Sequence, residues 1–374
     1  MTLLPERAVV LGSGGGALTI AAELGLAGVE VTLTDQPRFA PGIEAVAAAG
    51  GVRVRFEGEN QQLAPIARTS TDPFEAVRNA SLLIISVPSF GHRPLAELLA
   101  PCLEQGQTLL WVGEGGGSFA TIAALRALKR IPGLSLGDTN SLPYGGARVE
   151  GPATVSALRK SGGTYLAGLP SGSTSDLVAL ARLIWPWVEP AANVWETLLL
   201  NFNAIDHVAT VVTNLGGLET RTNPVRLWKE GASPGVAQVI GAVDSEYVLL
   251  RDALGLPVDL RYEDFLVAQG LVDRKGDSLY ATIQASLLAA SEFSGGPTTL
   301  EHRYITEDVP YSLVLASSLA VELGLEVPVI SGLIALASAA AGRDFRAEGR
   351  TLADWGLAGV GRDGLLSAVE RGWW

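Results

Sequence analysis

The stretch Val9–Asp35, VVLGSGGGALTIAAELGLAGVEVTLTD, places a glycine-rich turn between a short apolar run and a helical pattern. The helical pattern leads into a second apolar run that ends at Asp35. A strand, a turn of the form Gly12-x-Gly14-x-x-Ala17, a helix, a second strand and an acid, in this order, predict a βαβ unit that binds a dinucleotide. The glycine spacing alone is weak, and a turn that binds no ligand is the alternative.

Each position of the turn has a physical task in this interpretation. Gly12 permits the tight turn, Gly14 lets a pyrophosphate approach the backbone, and Ala17 lets the helix pack closely on the strand. The first N–H groups of the helix then face the phosphates. Gly15 and Gly16 therefore complete the predicted cofactor-binding set of the turn.

Asp35 decides which cofactor is expected. Its carboxylate accepts hydrogen bonds from the ribose hydroxyls of the adenosine and repels a 2′-phosphate. The sequence therefore favours NAD(H) over NADP(H). Arg38 lies three residues further on and weakens that preference.

The first half of the chain continues to alternate strand and helix patterns. Leu82–Val87 and Thr108–Val112 are apolar runs of strand length, and a helical pattern follows each. This alternation predicts a Rossmann-type, doubly wound parallel sheet. Ligands of such sheets sit outside the carboxyl ends of the strands, so Val87 and Pro88 are predicted to lie beside the cofactor. Gly113–Gly117 is a second candidate loop, and either loop could be a plain turn.

Helical periodicity dominates the second half. Phe202, Ile205 and Ala209 recur at helical spacing, and strand patterns are almost absent beyond them. The sequence therefore predicts an α/β domain at residues 1–192 that binds the dinucleotide. It predicts an all-α helical domain at residues 193–374 that supplies the catalytic and substrate-binding residues.

Composition restricts the partners. The 374 residues carry a net charge of −12, and duplex nucleic acid or an anionic membrane requires clustered positive charge, so neither is expected. The single cysteine, Cys102, forms no internal disulfide and no zinc cluster, and no metal site is predicted. The chain shows no signal-peptide pattern and no bilayer-length apolar run, so a cytoplasmic protein is expected. The apolar helices of the second half fit a homodimer interface and an ordinary core equally well.

Histidine is scarce, since only His92, His207 and His302 are present. Hydride transfer to a carbonyl or imine needs a nearby acid, and histidine is a common choice. His207 lies one helical turn after Asn203 in an otherwise apolar helix, which predicts a polar site on that helix face. A core histidine bonded to its neighbours is the alternative.

At these residues the sequence resembles the octopine/nopaline dehydrogenase family, the opine dehydrogenases. The specific elements are Asn203–His207 (NAIDH) and Arg303–Asp308 (RYITED). Gly137–Thr139 (GDT) and Arg148 also fit, and the resemblance covers nearly the whole chain. Asp138 stands where other members are expected to have glutamate, which leaves its role open.

The resemblance implies a reaction and a set of site residues. Members of this family condense the amino group of an amino acid with a 2-oxo acid, usually pyruvate, and reduce the product with NAD(P)H. It implies that His207 donates a proton to the oxo-acid oxygen and that Asp308 holds the other ring nitrogen. It also implies that Arg303 binds a substrate carboxylate, that Asn203 lines the substrate cleft and that Arg148 is a second anion contact.

The residues by themselves leave other interpretations open. Asp308 precedes a proline and fits a helix cap, and Arg303 fits a surface arginine. A 2-oxo or hydroxy acid dehydrogenase of the same architecture would commonly use a lysine of the helical half, where only Lys229 and Lys275 are available. A non-catalytic dinucleotide-binding sensor would bind the cofactor without turnover. The segment between Asn214 and Val239, which contains Trp228, is individual to this chain and is expected to shape the amino-acid pocket.

Overall fold

A computed structural model describes residues 4–130, 132–159, 162–223, 225–290 and 296–372. The chain divides into two compact units, Met1–Thr197 with Ser367–Trp374, and Leu198–Leu366. A helix at Val194–Leu199 spans this division. We therefore propose the bend just before that helix, at residues 192 and 193, as the boundary between the two domains.

The first unit contains strands β1 to β12 within its described residues. The strands are β1 Arg7–Leu11, β2 Glu30–Thr34, β3 Gly51–Phe56, β4 Gln62–Pro65, β5 Arg68–Ser70, β6 Leu82–Ile85, β7 Thr108–Trp111, β8 Ser135–Thr139, β9 Tyr144–Gly151, β10 Thr154–Arg159, β11 Thr164–Leu169 and β12 Val188–Pro190.

The α-helices are numbered through both units. They are α1 Gly15–Leu26, α2 Ala40–Ala49, α3 Pro73–Val77, α4 His92–Leu99, α5 Gly117–Ala127, α6 Thr174–Ala181, α7 Val194–Leu199, α8 Phe202–Thr213, α9 Leu215–Thr220, α10 Pro234–Ala253, α11 Tyr262–Ala268, α12 Leu279–Ala285, α13 Leu287–Ala290, α14 Arg303–Thr306, α15 Val314–Leu323, α16 Pro328–Ala341, α17 Phe345–Glu348 and α18 Gly361–Arg371. Single π-helical turns lie at Leu227–Gly231 and Val309–Leu313.

The main sheet has the strand order β12-β11-β8-β7-β6-β1-β2-β5. From β8 to β5 all neighbours are parallel, with Val10 of β1 between Leu33 of β2 and Ile84 of β6. The predicted Rossmann-type parallel sheet is therefore confirmed. At one edge β11 runs antiparallel to β8, and β12 pairs parallel to β11.

A second, four-stranded sheet of order β4-β3-β10-β9 was not predicted. Its apolar residues, such as Val54 and Val155, are fully buried in one core with the residues of α1. Helix α1 is consequently buried almost all round, and Pro65 O lies 2.3 Å from the position a Cβ of Gly25 would take. The second sheet thus helps to fix the helix that follows the glycine-rich turn.

Helix α8 is the central element of the second unit. Phe202, Ile205, Ala209 and Val212 are buried on it, as their helical spacing predicts. Both π-helical turns pack against α8, together with α10, α14 and α16. No helix in the described part of the chain is long and apolar enough to cross a bilayer.

Candidate active site

The glycine-rich turn after β1 has the tight geometry that its sequence predicts. Gly12 has a φ of +122°, and a Cβ there would lie 2.4 Å from Ser86 O and 3.0 Å from the Cβ of Ala17. A side chain at residue 12 and a larger side chain at residue 17 would therefore collide with each other or with the end of β6.

Gly14 is the N-cap residue of α1, and a different reason accounts for the glycine there. Its φ of −79° is open to any residue, and a Cβ there would meet nothing within 4 Å. Because glycine has no side chain, Gly14 cannot cap α1, and the first N–H groups of this helix lack a side-chain cap. Open space in front of uncapped N–H groups fits the pyrophosphate of a dinucleotide.

Gly15 and Gly16 are constrained by packing against other parts of the first unit. A Cβ on Gly15 would lie 2.5 Å from Ala147 O and 3.0 Å from Arg148 N. A Cβ on Gly16 would lie 2.8 Å from Ser86 Oγ. The backbone of Arg148 therefore borders the glycine-rich turn, although the side chain itself is exposed.

Asp35 lies beside this turn, directly after β2, and is only 8% exposed. Ser13 O–H donates to Asp35 Oδ2 at 2.7 Å, and Gln36 N–H donates to Oδ1 at 2.8 Å. Burial raises the pKa of Asp35 above its ordinary value of 3.8, although both hydrogen bonds oppose this change. The carboxylate is therefore oriented by the turn itself, at the edge where an adenosine ribose would bind.

Val87 and Pro88 lie at the same edge of the sheet as the turn. They directly follow Ser86, whose carbonyl oxygen faces Gly12 and whose hydroxyl faces Gly16. Val87 is half-buried and Pro88 is exposed. Their position agrees with the rule for ligands of open parallel sheets.

The second candidate loop, at residues 113–117, is bound internally. Ser89 O–H donates to Glu114 Oε2 at 2.6 Å. Asp138, which is fully buried, accepts from Gly117 N–H at 3.0 Å and from Ser118 N–H at 3.2 Å. Asp138 therefore caps the N-terminus of α5, which gives a structural role to the residue whose role the sequence left open.

In the second unit, His207 and Asp308 form a direct pair. His207 Nδ1 lies 2.8 Å from Asp308 Oδ2, although the two residues are 101 positions apart in the chain. The side chains are 12% and 4% exposed. Asp308 makes no side-chain hydrogen bond to the turn that it begins, so its geometry is that of a histidine partner and not of a helix cap.

Aromatic rings surround this pair. The Tyr304 ring stacks on His207 with centroids 3.6 Å apart, and the Trp228 centroid lies 6.0 Å from that of His207. The ring of His302 packs edge-on against Tyr304 at 4.4 Å. Burial lowers the pKa of His302, with smaller contributions from the charges of His207 and Arg303. His302 Nδ1 also accepts the Tyr304 N–H at 3.3 Å, so this ring serves as a cap.

Arg303 and Asn203 lie on the two elements that carry the pair. Arg303 Nη2 lies 3.0 Å from Glu307 Oε2, one helical turn further on. Arg303 is largely exposed, whereas the Glu307 side chain is only 2% exposed. Asn203 is half-buried on α8, one turn before His207. The second unit thus gathers four of the predicted site residues, while Arg148 lies in the first unit.

Sequence reasoning assigned no role to three residues of this cluster: Asp206, Tyr304 and Glu307. Asp206 and Glu307 are carboxylates that the fold buries, which only the tertiary structure shows. All three stand inside the two specific sequence elements, so their positions were the available signal. The described residues contain no cluster of histidine, cysteine and carboxylate groups that could hold a metal ion.

Two family models match separate parts of the chain. Residues 190–341 match the family model of the NAD/NADP octopine/nopaline dehydrogenase alpha-helical domain, and residues 8–156 match the ketopantoate reductase PanE/ApbA model. The chain is 30% identical to an opine dehydrogenase of Arthrobacter sp. (strain 1C), over 96% of this chain and 98% of that protein. The chain belongs to the opine dehydrogenase family.

Solved structures show the same fold. Octopine dehydrogenase with NADH and L-arginine superposes with a TM-score of 0.80 at 18% identity, covering 97% of this chain and 98% of that one. Yersinopine dehydrogenase superposes with a TM-score of 0.72 at 17% identity, covering 99% and 98%. The predicted family and fold are therefore confirmed, and this family member is an NAD(P)-dependent oxidoreductase that acts on CH–NH groups.

Proposed function

We propose that the enzyme catalyses an opine-forming reductive condensation. The amino group of an amino acid and the keto group of a pyruvate-like 2-oxo acid form an imine and water. The imine then takes up a hydride and a proton to give an N-(carboxyalkyl)amino acid. The observation that carries this proposal is the His207–Asp308 pair, with 2.8 Å between Nδ1 and Oδ2.

The pair provides the proton that the condensation needs. We assign Nε2 of His207 to the oxygen of the oxo acid, because Nδ1 is held by Asp308. The Asp308 carboxylate favours the imidazolium, which donates a proton as the keto oxygen leaves as water. Stacking on Tyr304 fixes the ring plane in which this donation occurs.

Arg303 and Asn203 are proposed to bind the substrates. A guanidinium matches the fork of a carboxylate, and the ion pair with the buried Glu307 restrains Arg303 for that contact. Asn203 shares the His207 face of α8, where its amide can donate to a substrate oxygen. Arg148 remains a candidate anion contact, and its backbone position next to Gly15 favours an anionic group held at the turn.

The cofactor is proposed to be NAD(H) in preference to NADP(H). Gly12 and Gly14 would hold the pyrophosphate at the N-terminus of α1, and Asp35 would accept from the adenosine ribose hydroxyls. When bound, the nicotinamide supplies the hydride. Asp35 would repel a 2′-phosphate, whereas Arg38 lies close enough to counteract part of that repulsion.

The test follows NADH absorbance with pyruvate, with and without a panel of amino acids, and identifies the product by mass. We expect consumption that requires both substrates and that falls by about 10²- to 10⁴-fold in His207→Gln. Circular dichroism confirms that the variant is folded.

Other outcomes would replace the proposal. Consumption with the oxo acid alone would support a 2-oxo or hydroxy acid dehydrogenase. That alternative has little support in the helical unit, because Lys275 is ion-paired with Asp264 at 2.5 Å and Glu263 at 3.4 Å. Binding of NADH without turnover on any pair would support a sensor.

A further inference from the structure

A second buried carboxylate stands next to the catalytic pair. Asp206 immediately precedes His207 on α8 and is only 4% exposed. Its neighbours Ala204 and Ile205 are fully buried apolar residues. A carboxylate in such a position destabilises the fold unless donors surround it, so its retention requires an explanation.

Two aromatic side chains donate to the same oxygen of Asp206. Trp228 Nε1–H donates to Oδ2 at 2.7 Å, and the Tyr262 hydroxyl donates to Oδ2 at 2.6 Å. Burial, followed by the charge of Asp206, holds the pKa of Tyr262 well above its ordinary value of 10. The tyrosine therefore stays protonated and remains a donor. Asp206 is consequently fixed in one orientation.

The other oxygen of Asp206 faces His207. Asp206 Oδ1 lies 3.9 Å from Nε2, the ring nitrogen opposite the one held by Asp308. This separation is longer than a hydrogen bond, but two unit charges at this range in a partly buried site interact appreciably. The imidazole therefore lies between two carboxylates, one at each nitrogen.

The hydrogen bonds of Asp206 also fix the surroundings of the ring. They hold Trp228, whose ring lies edge-on to Tyr304 at 6.3 Å, and Tyr304 stacks on His207. The π-helical turn at Leu227–Gly231 is thereby tied to α8 at the reacting histidine.

We propose that Asp206 is a positioning residue that keeps His207 doubly protonated and locks Trp228 beside the reacting edge of the ring. This inference rests on the proposed function. It predicts that the imidazolium persists at neutral pH, ready to donate from Nε2.

The charge on His207 depends on several groups, which the test must take into account. Asp206, Asp308 and Tyr304 lie against its ring. Around them, Tyr262 donates to Asp206, His302 packs on Tyr304, and Arg303, whose charge acts on His302, is paired with Glu307. His302 and Arg303 oppose the proton on His207, and the carboxylates favour it.

The experiment is NMR of the full chain labelled with ¹³C and ¹⁵N histidine, without substrate. Only three histidines occur, and the resonances of His207 are assigned by their loss in His207→Gln. We expect both ring nitrogens of His207 to be protonated at pH 7. In Asp206→Asn the titration midpoint should move to lower pH by about half to one pH unit.

A matched control keeps the interpretation specific. Glu246 is another buried carboxylate of this unit, and it caps α16 through Val329 N–H and Ile330 N–H at 2.8 Å each. Glu246→Gln should leave the His207 midpoint unchanged. An unchanged His207 midpoint in Asp206→Asn overturns the proposal. If Asp206→Asn does not fold, a neutral His207 at pH 7 in the parent protein overturns it instead.

Turnover separates this inference from the proposed function. If the parent enzyme requires both substrates but the midpoint does not move, only the role of Asp206 is wrong. If the midpoint moves but no substrate pair is turned over, only the reaction is wrong. If the reaction and the role of Asp206 are both correct, kcat of Asp206→Asn should fall selectively at pH values above the lowered His207 midpoint. The change in KM should be smaller.

Discussion

Two glycine-rich turns follow parallel strands and begin helices in the first unit, one after β1 and the other after β7. In sequence they look alike, as Gly12-Ser13-Gly14-Gly15-Gly16 and Gly113-Glu114-Gly115-Gly116-Gly117. Both were candidates to lie beside a cofactor. In the structure, the glycines of the two turns serve different physical requirements.

The first turn leaves its helix N-terminus uncapped. Gly14 has an ordinary φ and open space in front of it, and no side chain caps α1. The second turn is filled from within the protein. The buried carboxylate of Asp138 takes the N–H groups of Gly117 and Ser118, and a Cβ on Gly117 would lie 2.0 Å from the Trp111 ring.

Glycine content alone therefore does not identify an anion site. Such a site needs N–H groups that no protein group already satisfies, and space for the anion. The turn after β1 offers both. In the turn after β7 the N–H groups already donate to the Asp138 carboxylate, and Gly117 is needed for close packing against Trp111.

The largest effect is expected from Gly117→Ala, which tests packing in the second turn. The added methyl would collide with Trp111, which is 1% exposed and cannot move aside. We expect the unfolding free energy to fall by about 3 kcal/mol or more. Gly172→Ala is the control, because a Cβ there meets nothing within 4 Å. Denaturant titration measures both, and equal stabilities would refute the packing explanation.

Asp138→Ala removes the cap of α5, the helix that follows the second turn. Two buried N–H groups lose their acceptor, and we expect a loss of about 2 kcal/mol in unfolding free energy. Asp72 caps α3 through Phe74 N–H and Glu75 N–H at an exposed position. Asp72→Ala should therefore cost less. A smaller loss in Asp138→Ala than in Asp72→Ala would contradict the internal role of Asp138.

Gly14→Ser gives α1 a side-chain cap, as Asp138 already provides for α5. The backbone at Gly14 has φ −79° and ψ 175°, which suits a capping serine, so stability should hold or rise slightly. The hydroxyl would compete with the pyrophosphate, and NADH affinity should fall by about tenfold, or 1.4 kcal/mol. Fluorescence titration measures this affinity. Unchanged binding would show that the phosphates lie elsewhere.

Asp35→Asn gives the smallest effect and sharpens the role of the first turn. The pKa of Asp35 is raised above 3.8, so the native state binds more protons than the unfolded state between 3.8 and that higher value. Stability therefore falls as pH rises through this window, and the buried carboxylate is unfavourable above it. Without cofactor at pH 7, the variant should gain roughly a few tenths of a kcal/mol, a gain that vanishes below the window.

The cofactor preference checks the same variant independently. Asparagine does not repel a 2′-phosphate, so the ratio of KM for NADH to KM for NADPH should rise. A parallel fall in affinity for both cofactors would instead indicate that Asp35 holds only Ser13 and the turn.

Much of the fold could be predicted because local patterns specify it. The order from Val9 to Asp35 predicts the βαβ unit, and the spacing of Phe202 and Ile205 predicts a buried helix face. The second sheet was not predicted, although Val52, Val54 and Phe56 of β3 alternate with arginines as in a half-buried strand. Its strand β9 gives no such signal, since it carries three glycines and half of its residues are exposed, and it is a strand only through pairing with β10. Burial of Asp206 was likewise invisible, because nothing local distinguishes it from a solvated helix residue.

The alternation of strands and helices, the glycine-rich turn after β1 and the presence of His207 and Asp308 in two recognisable elements can all be deduced from the sequence alone. The folded chain is needed to show that the turn after β1 is uncapped, that His207 and Asp308 meet across 101 positions, that Asp138 caps α5 and that Asp206 faces His207. These contacts depend on long-range packing. Backbone propensity and hydrophobic period act over a few residues, whereas the partner of a buried charge is set by the path of the whole chain.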